Sequence, residues 1–209
     1  MRTLKNRLRN LNKMLSLNEG KLLVELARHS IKTYFSGKNL NLENVREFSN
    51  KQGVFVTLHK YGNLRGCIGY PEPALQLYKA IVQAARAAAF QDPRFAPLQE
   101  NELDEVDVEI SVLTVPKLIE VKEPKEYLDK IKIGEDGLII RAGFASGLLL
   151  PQVFPQYDAT PKQALEMTCQ KAGLGRDAWK DLDNKIYTFQ AQIFAEEEPN
   201  GNIVEGKSD

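Results

Sequence analysis

"GVFVTLHKYGNLRGCIGY", residues 53–70, is the stretch from which the fold can be read. Two extended runs, 54–58 and 64–70, flank the turn-forming Tyr61, Gly62 and Asn63, which is the pattern of a β-hairpin. Register decides which side chains share a face, because a one-residue slip sends each of them to the other side of the sheet. A two-residue loop at Gly62 and Asn63 mixes Val54, Val56 and Leu58 with Lys60, Arg65 and Cys67. A three-residue loop over residues 61–63 instead pairs Leu58 with Gly66 and Val56 with Ile68. It collects Val54, Val56, Leu58, Leu64, Ile68 and Tyr70 on one face and leaves Phe55, Thr57, His59, Arg65, Cys67 and Gly69 on the other. This second arrangement separates core from polar surface and is the expected one, with Asn63 in the left-handed conformation at the end of the loop.

The polar face carries the chemistry. Arg65 and Cys67, two apart on a strand, point the same way with Cβ atoms roughly 7 Å apart. A guanidinium at that range favours the thiolate. The run "VDVEISV" divides in the same way, with Val106, Val108, Ile110 and Val112 on one side and Asp107, Glu109 and Ser111 on the other. If His59 and Glu109 converge on Cys67, nucleophile, base and orienter are all present. The plainer reading is that Cys67 is a small packed residue. Gly66 and Gly69 mark either a close approach by another group or a bulge.

Further out, "SLNEGKLLVELARHSIKTYF" opens with a capping box, Ser16 and Glu19, and places Leu22, Leu23, Leu26, Ala27, Ile31 and Tyr34 on one helical face. Lys21, Glu25, Arg28 and Lys32 fall largely on the other face, and His29 lies near the edge of the apolar stripe. Residues 73–90 read as an Ala-rich helix stopped by Pro93 and Pro97 in "QDPRFAPL". A strand at "VDVEISVLTVPKLI", a short helix at "PKEYLDKI" and two strands joined at "AGFASG" follow. A helix capped by Thr160 with Pro161 first ends at Gly173. "KIYTFQAQIFAEEE" reads as one closing strand, and residues 198–209 as a flexible tail. Hairpins and blocks of helices make the class α+β.

Composition narrows the function. The chain has 209 residues, with Lys plus Arg and Asp plus Glu both at 28, so no overall field draws it to nucleic acid. The first thirteen residues are basic, with Arg2, Lys5, Arg7, Arg9 and Lys13 and no acid, and read as an extension ahead of the domain. No apolar run approaches the roughly 18 residues of a membrane span, and no apolar core of a secretory signal begins the chain; a cytoplasmic protein is expected. Two separated cysteines and two histidines offer neither a disulfide framework nor a metal set, so no metal and no cofactor are expected.

"LRGCIGY", together with "GVFVTL", "AAFQDPRFAPL", "VEISVL", "GLLLPQV" and "CQKAGL", resembles the AMMECR domain family, with the hexapeptide at residues 64–69 as its most specific element. The likeness runs from about residue 14 to residue 197. It implies two unequal lobes, each an antiparallel sheet with flanking helices, and a cleft between them faced by the hexapeptide. The large lobe then takes residues 14 to about 117 plus 184–197, and the small lobe about 118–183. The family has no established activity; some prokaryotic relatives are associated with a radical-SAM protein and a Memo-like protein, which implies a macromolecule-modification pathway.

Two functions stand side by side. In the first, the interlobe cleft, with Leu64, Arg65, Gly66, Cys67, Ile68, Gly69, Asp92, Arg94 and Glu109 as its binding residues, takes a protein or other large partner. In the second, the chain is an enzyme with Cys67 as nucleophile or redox centre and Arg65 as its activator. Arg94 either pairs with a partner's carboxylate or holds Asp92 within the fold.

Overall fold

The computed structural model describes residues 14–206, so the basic segment 1–13 lies outside the described residues. In chain order the elements are α1 (Leu17–Ser36), β1 (Val54–Lys60), β2 (Asn63–Tyr70), α2 (Leu77–Phe90), β3 (Val106–Leu113), β4 (Lys117–Leu118), α3 (Tyr127–Lys130), β5 (Gly137–Ala142), β6 (Ala145–Leu149), α4 (Val153–Gln156), α5 (Pro161–Lys171), β7 (Lys185–Phe189), β8 (Ala191–Glu196) and β9 (Ile203–Glu205). They form a five-stranded sheet, β2-β1-β3-β8-β9, and a four-stranded sheet, β4-β7-β5-β6. The class is α+β with antiparallel pairing, as the hairpin pattern predicts. The chain divides into two compact units, one running to Leu113 and resuming at Gln192, the other spanning Thr114–Ala191.

In the first unit, α1 starts where the capping box predicts: Ser16 Oγ accepts from the Glu19 N–H at 3.3 Å, and Glu19 Oε2 accepts from the Ser16 N–H at 2.7 Å. Gly37, at φ +65°, ends it. Leu23, Val24, Ala27 and Ile31 of α1 and the alanine face of α2 share one core with Val54, Val56, Leu58, Val108 and Ile110. Alanines at 84, 85 and 88 leave little side-chain bulk between α2 and the sheet. The helix begins at Leu77 rather than at residue 73, because Gln76 is still extended and bridges to Lys51.

Arg28 departs from its expected outward position. It is buried on α1, where it pairs with Glu196 and donates to the carbonyls of Leu103 and Val106 at 3.0 and 2.6 Å. Glu196 also accepts from the Val108 N–H at 3.0 Å, so one buried ion pair joins the helix to two strands. Helical periodicity places a residue on a face; it does not reveal a carboxylate 168 positions away.

The hairpin has the expected pairs Leu58–Gly66 and Val56–Ile68, but its turn differs. Tyr61 and Gly62, at φ +51° and +75°, make a two-residue loop, and Asn63 pairs with Lys60. The register is restored by a bulge at Arg65, between the pairs His59–Leu64 and Leu58–Gly66. Leu64 therefore leaves the core face and is 41 % exposed, a correction to its expected place.

The second unit packs α4 and α5 over its sheet around Leu138, Ile140, Phe154, Leu165, Cys169 and Ile186. Thr160 caps α5, and Gly173 at φ +74° follows its end. The single closing strand expected from residue 185 onward is two strands in two sheets. The Gln190 N–H donates to Thr114 Oγ1, and the Thr114 N–H to the Gln190 carbonyl, both at 2.9 Å, where the chain leaves each sheet. Part of the expected tail is β9, paired with β8 through Ala195–Val204. Among the described residues no helix is long and apolar enough to cross a membrane.

Candidate functional site

The candidate site is the outer edge of the five-stranded sheet, where β2 is the last strand. Cys67 lies opposite Thr57, and its Sγ is 3.3 Å from Thr57 Oγ1. The Cys67 backbone groups are turned away from β1, as in the non-hydrogen-bonded pairs of an antiparallel ladder, and they have partners. The Cys67 N–H donates to Asp92 Oδ2 at 2.8 Å, and Arg94 Nη2 donates to the Cys67 carbonyl at 3.2 Å. The "DPRF" segment after α2 thus straps the edge that the hexapeptide would otherwise leave open.

Asp92 and Arg94 hold each other. Arg94 Nε and Nη2 donate to the two Asp92 oxygens at 2.9 and 2.7 Å, and the Arg94 N–H donates to Oδ1 at 3.1 Å. Asp92 is buried, and the guanidinium holds its carboxyl well below the usual carboxylate range, helped by the two backbone N–H donors and opposed by burial. The Arg94 side chain stays 53 % exposed, with its guanidinium carbon 5.4 Å from the centre of the Phe95 ring.

Arg65 points elsewhere. At the bulge its Nε and Nη2 donate to Glu102 at 3.2 and 2.9 Å, and its Nη1 to the Ala96 carbonyl at 3.0 Å. Lys60 joins the same carboxylate at 2.9 Å and reaches Glu105 at 2.7 Å. The Arg65 guanidinium beside it, with a backbone N–H and Lys60, lowers the Glu102 carboxyl to about 2 against the opposing effect of burial. Glu102, absent from the sequence reading, is the residue that fixes Arg65. The one local signal for it is its place three residues after Gln99, whose N–H it accepts at 3.0 Å.

The thiol is shaped chiefly by burial, which pushes the Cys67 pKa up. The Thr57 bond and Arg94 pull it down, while Asp92 and Glu109 push it further up. The charged groups acting on the thiol are thus Arg94, Asp92 and Glu109, while Arg65, the expected activator, is bound to Glu102. Glu109 lies in the same row, opposite Thr57, and is buried. His59 lies opposite Asp107, with Nδ1 3.5 Å from its carboxylate.

Each glycine has an internal reason. A Cβ on Gly66 would stand 2.2 Å from the Ala88 carbonyl oxygen, so Gly66 admits the backbone of α2. A Cβ on Gly69 would stand 2.2 Å from the Phe55 ring, which lies across it. Ile68 packs against the core. Among the described residues no group of three metal-ligating side chains converges. A cavity of about 360 Å³ lies between α1 and the loop after it, lined by Leu22, Leu26, His29, Leu40 and Val45 among others; none of the sequence-predicted site residues lines it.

A model of the AMMECR1 family matches residues 24–194. A protein of Methanocaldococcus jannaschii is 50% identical over 198 residues, covering 93% of this chain and 98% of its own length. One of Methanothermobacter thermautotrophicus is 50% identical over 186 residues, covering 88% and 97%. The crystal structure of an uncharacterized protein from Pyrococcus horikoshii, 45% identical, superposes with a TM-score of 0.83 over 91% of this chain and 98% of that one. Family match, near-complete coverage and shared fold agree: this chain belongs to the AMMECR1 family.

Proposed function

We propose that the strapped β2 edge, with Leu64, Cys67 and Arg94 at its surface, is a docking site for a protein partner. The supporting observation is that the groups a catalyst would use are engaged in holding the strand: Arg65 is bound by Glu102, and Asp92 by Cys67 and Arg94. What the edge offers outward is a rigid shape with a half-exposed guanidinium and an exposed leucine. Radical-SAM and Memo-like proteins, implied by the family resemblance, are the partner classes to look for, in a cytoplasmic macromolecule-modification pathway. Cys67 as a nucleophile is the weaker reading, because burial raises its pKa and Arg65 is engaged elsewhere.

The test is affinity capture with the full chain and its Leu64→Ser, Arg94→Gln and Phe144→Ser variants, followed by quantitative mass spectrometry. Phe144, fully exposed in the other unit, is the control. Docking at this edge predicts that Leu64→Ser and Arg94→Gln lose the same protein and Phe144→Ser retains it. Capture unchanged by the first two variants refutes the reading.

A further inference from the structure

Arg94 is held more firmly than an exposed arginine needs to be. Its Nε donates to Asp92, its Nη2 donates to Asp92 and to the Cys67 carbonyl, and one face of the guanidinium lies toward the Phe95 ring. A guanidinium has five N–H donors; those bonds leave the two on Nη1, and no described residue accepts from them. Asp92 itself is anchored, being buried and bound to the Cys67 N–H at 2.8 Å. The ordering of a long flexible side chain is thus complete before any partner arrives, which is how a binding site lowers the entropy cost of a polar contact.

From this we infer that Arg94 is the specificity-determining residue of the edge and that its Nη1 donors receive an Asp or Glu side-chain carboxylate of the partner protein. The inference rests on the docking reading above and names the chemistry of the partner. A carboxylate fits better than a phosphate. Asp92 and Glu109 both act on the adjacent Cys67 thiol, and carboxylates this close oppose a dianion more strongly than a monoanion. Arg65, on the same strand, is bound to Glu102. One partly neutralised guanidinium matches a single negative charge, whereas phosphate recognition generally gathers several cations. With Nε and Nη2 engaged, the contact is made through Nη1 alone, so it orients the partner more than it supplies affinity.

The test selects a random peptide library, displayed on phage, against the full chain. Selected peptides are then resynthesised with each Asp or Glu replaced by Asn or Gln, and binding is measured on wild type, Arg94→Gln, Arg94→Lys and Leu64→Ser. The expected result is one acidic position whose neutral version binds wild type about tenfold more weakly. Arg94→Gln should not distinguish the two peptides, and Arg94→Lys should fall between. Binding should also weaken as salt rises. Peptides that depend on Leu64 but are indifferent to acid replacement overturn the carboxylate inference and leave the docking reading standing. Peptides indifferent to both Leu64 and Arg94, or none selected, overturn both. Should Arg94→Gln unfold, the acid-to-amide peptides on wild type still decide the question, because they alter only the ligand.

Discussion

Gly66→Ala separates a glycine kept for packing from one kept for a ligand. The added methyl would stand 2.2 Å from the Ala88 carbonyl oxygen, where ordinary contact begins at 3.4 Å. That oxygen belongs to the backbone of α2, so no side chain can rotate away; strand and helix must separate by roughly 1 Å, against close packing. Overpacking of this kind costs about 1–3 kcal/mol, and the reduced freedom of the unfolded chain returns about 0.4–1 kcal/mol. A contact with helix backbone belongs at the upper end of the overpacking range, so the net loss is about 2 kcal/mol, measurable by urea denaturation followed by far-ultraviolet circular dichroism. A second substitution sharpens the test. Because the obstacle is the carbonyl and not the Ala88 methyl, Ala88→Gly should not rescue Gly66→Ala, and the double-mutant cycle should show little coupling. A loss below about 0.5 kcal/mol, within the range of an ordinary surface substitution, would refute the close approach, and strong rescue would place the clash on the side chain.

Two further outcomes follow from the strap and the thiol. Asp92 has its pKa lowered in the folded state, so its ionised form contributes stability above the unfolded-state value near 4 and loses it as pH falls toward the lower folded value. The stability difference between wild type and Asp92→Asn should thus be constant from about pH 5 to 7 and shrink below pH 4, as read by denaturation at each pH; a difference that persists undiminished near pH 2 contradicts the strap. Cys67, half-buried with a raised pKa, should alkylate with iodoacetamide more slowly than a free thiol at neutral pH, yet faster than the fully buried Cys169. A rate profile that turns over below about pH 8 would return Cys67 to the list of nucleophiles.

The elements legible in the residues were those built from neighbours in the chain. Ser16 with Glu19, Thr160 before Pro161, and the alternation of Val54, Val56 and Leu58 depend on contacts within a few positions, and the structure has them. The turn was harder, because a three-residue loop and a two-residue loop followed by a bulge produce the same pairs beyond Leu58; they differ only at Asn63, Leu64 and Arg65. β7 and β8 read as one strand because both alternate, and nothing within residues 185–196 marks the change of sheet that Thr114 helps to make at Gln190.

The site divides along the same line. That Arg65 and Cys67 sit on one strand beside two glycines, opposite a second strand with Thr57, is local information present in the sequence of residues 54–70. What each group does is not local. Cys67 meets Asp92 across 25 positions and Arg65 meets Glu102 across 37, and these partners make one residue part of an edge strap and the other a brace for the bulge. Charge and hydrogen bonding act through space over a few ångströms, and only the tertiary path of the chain determines which residues come that close.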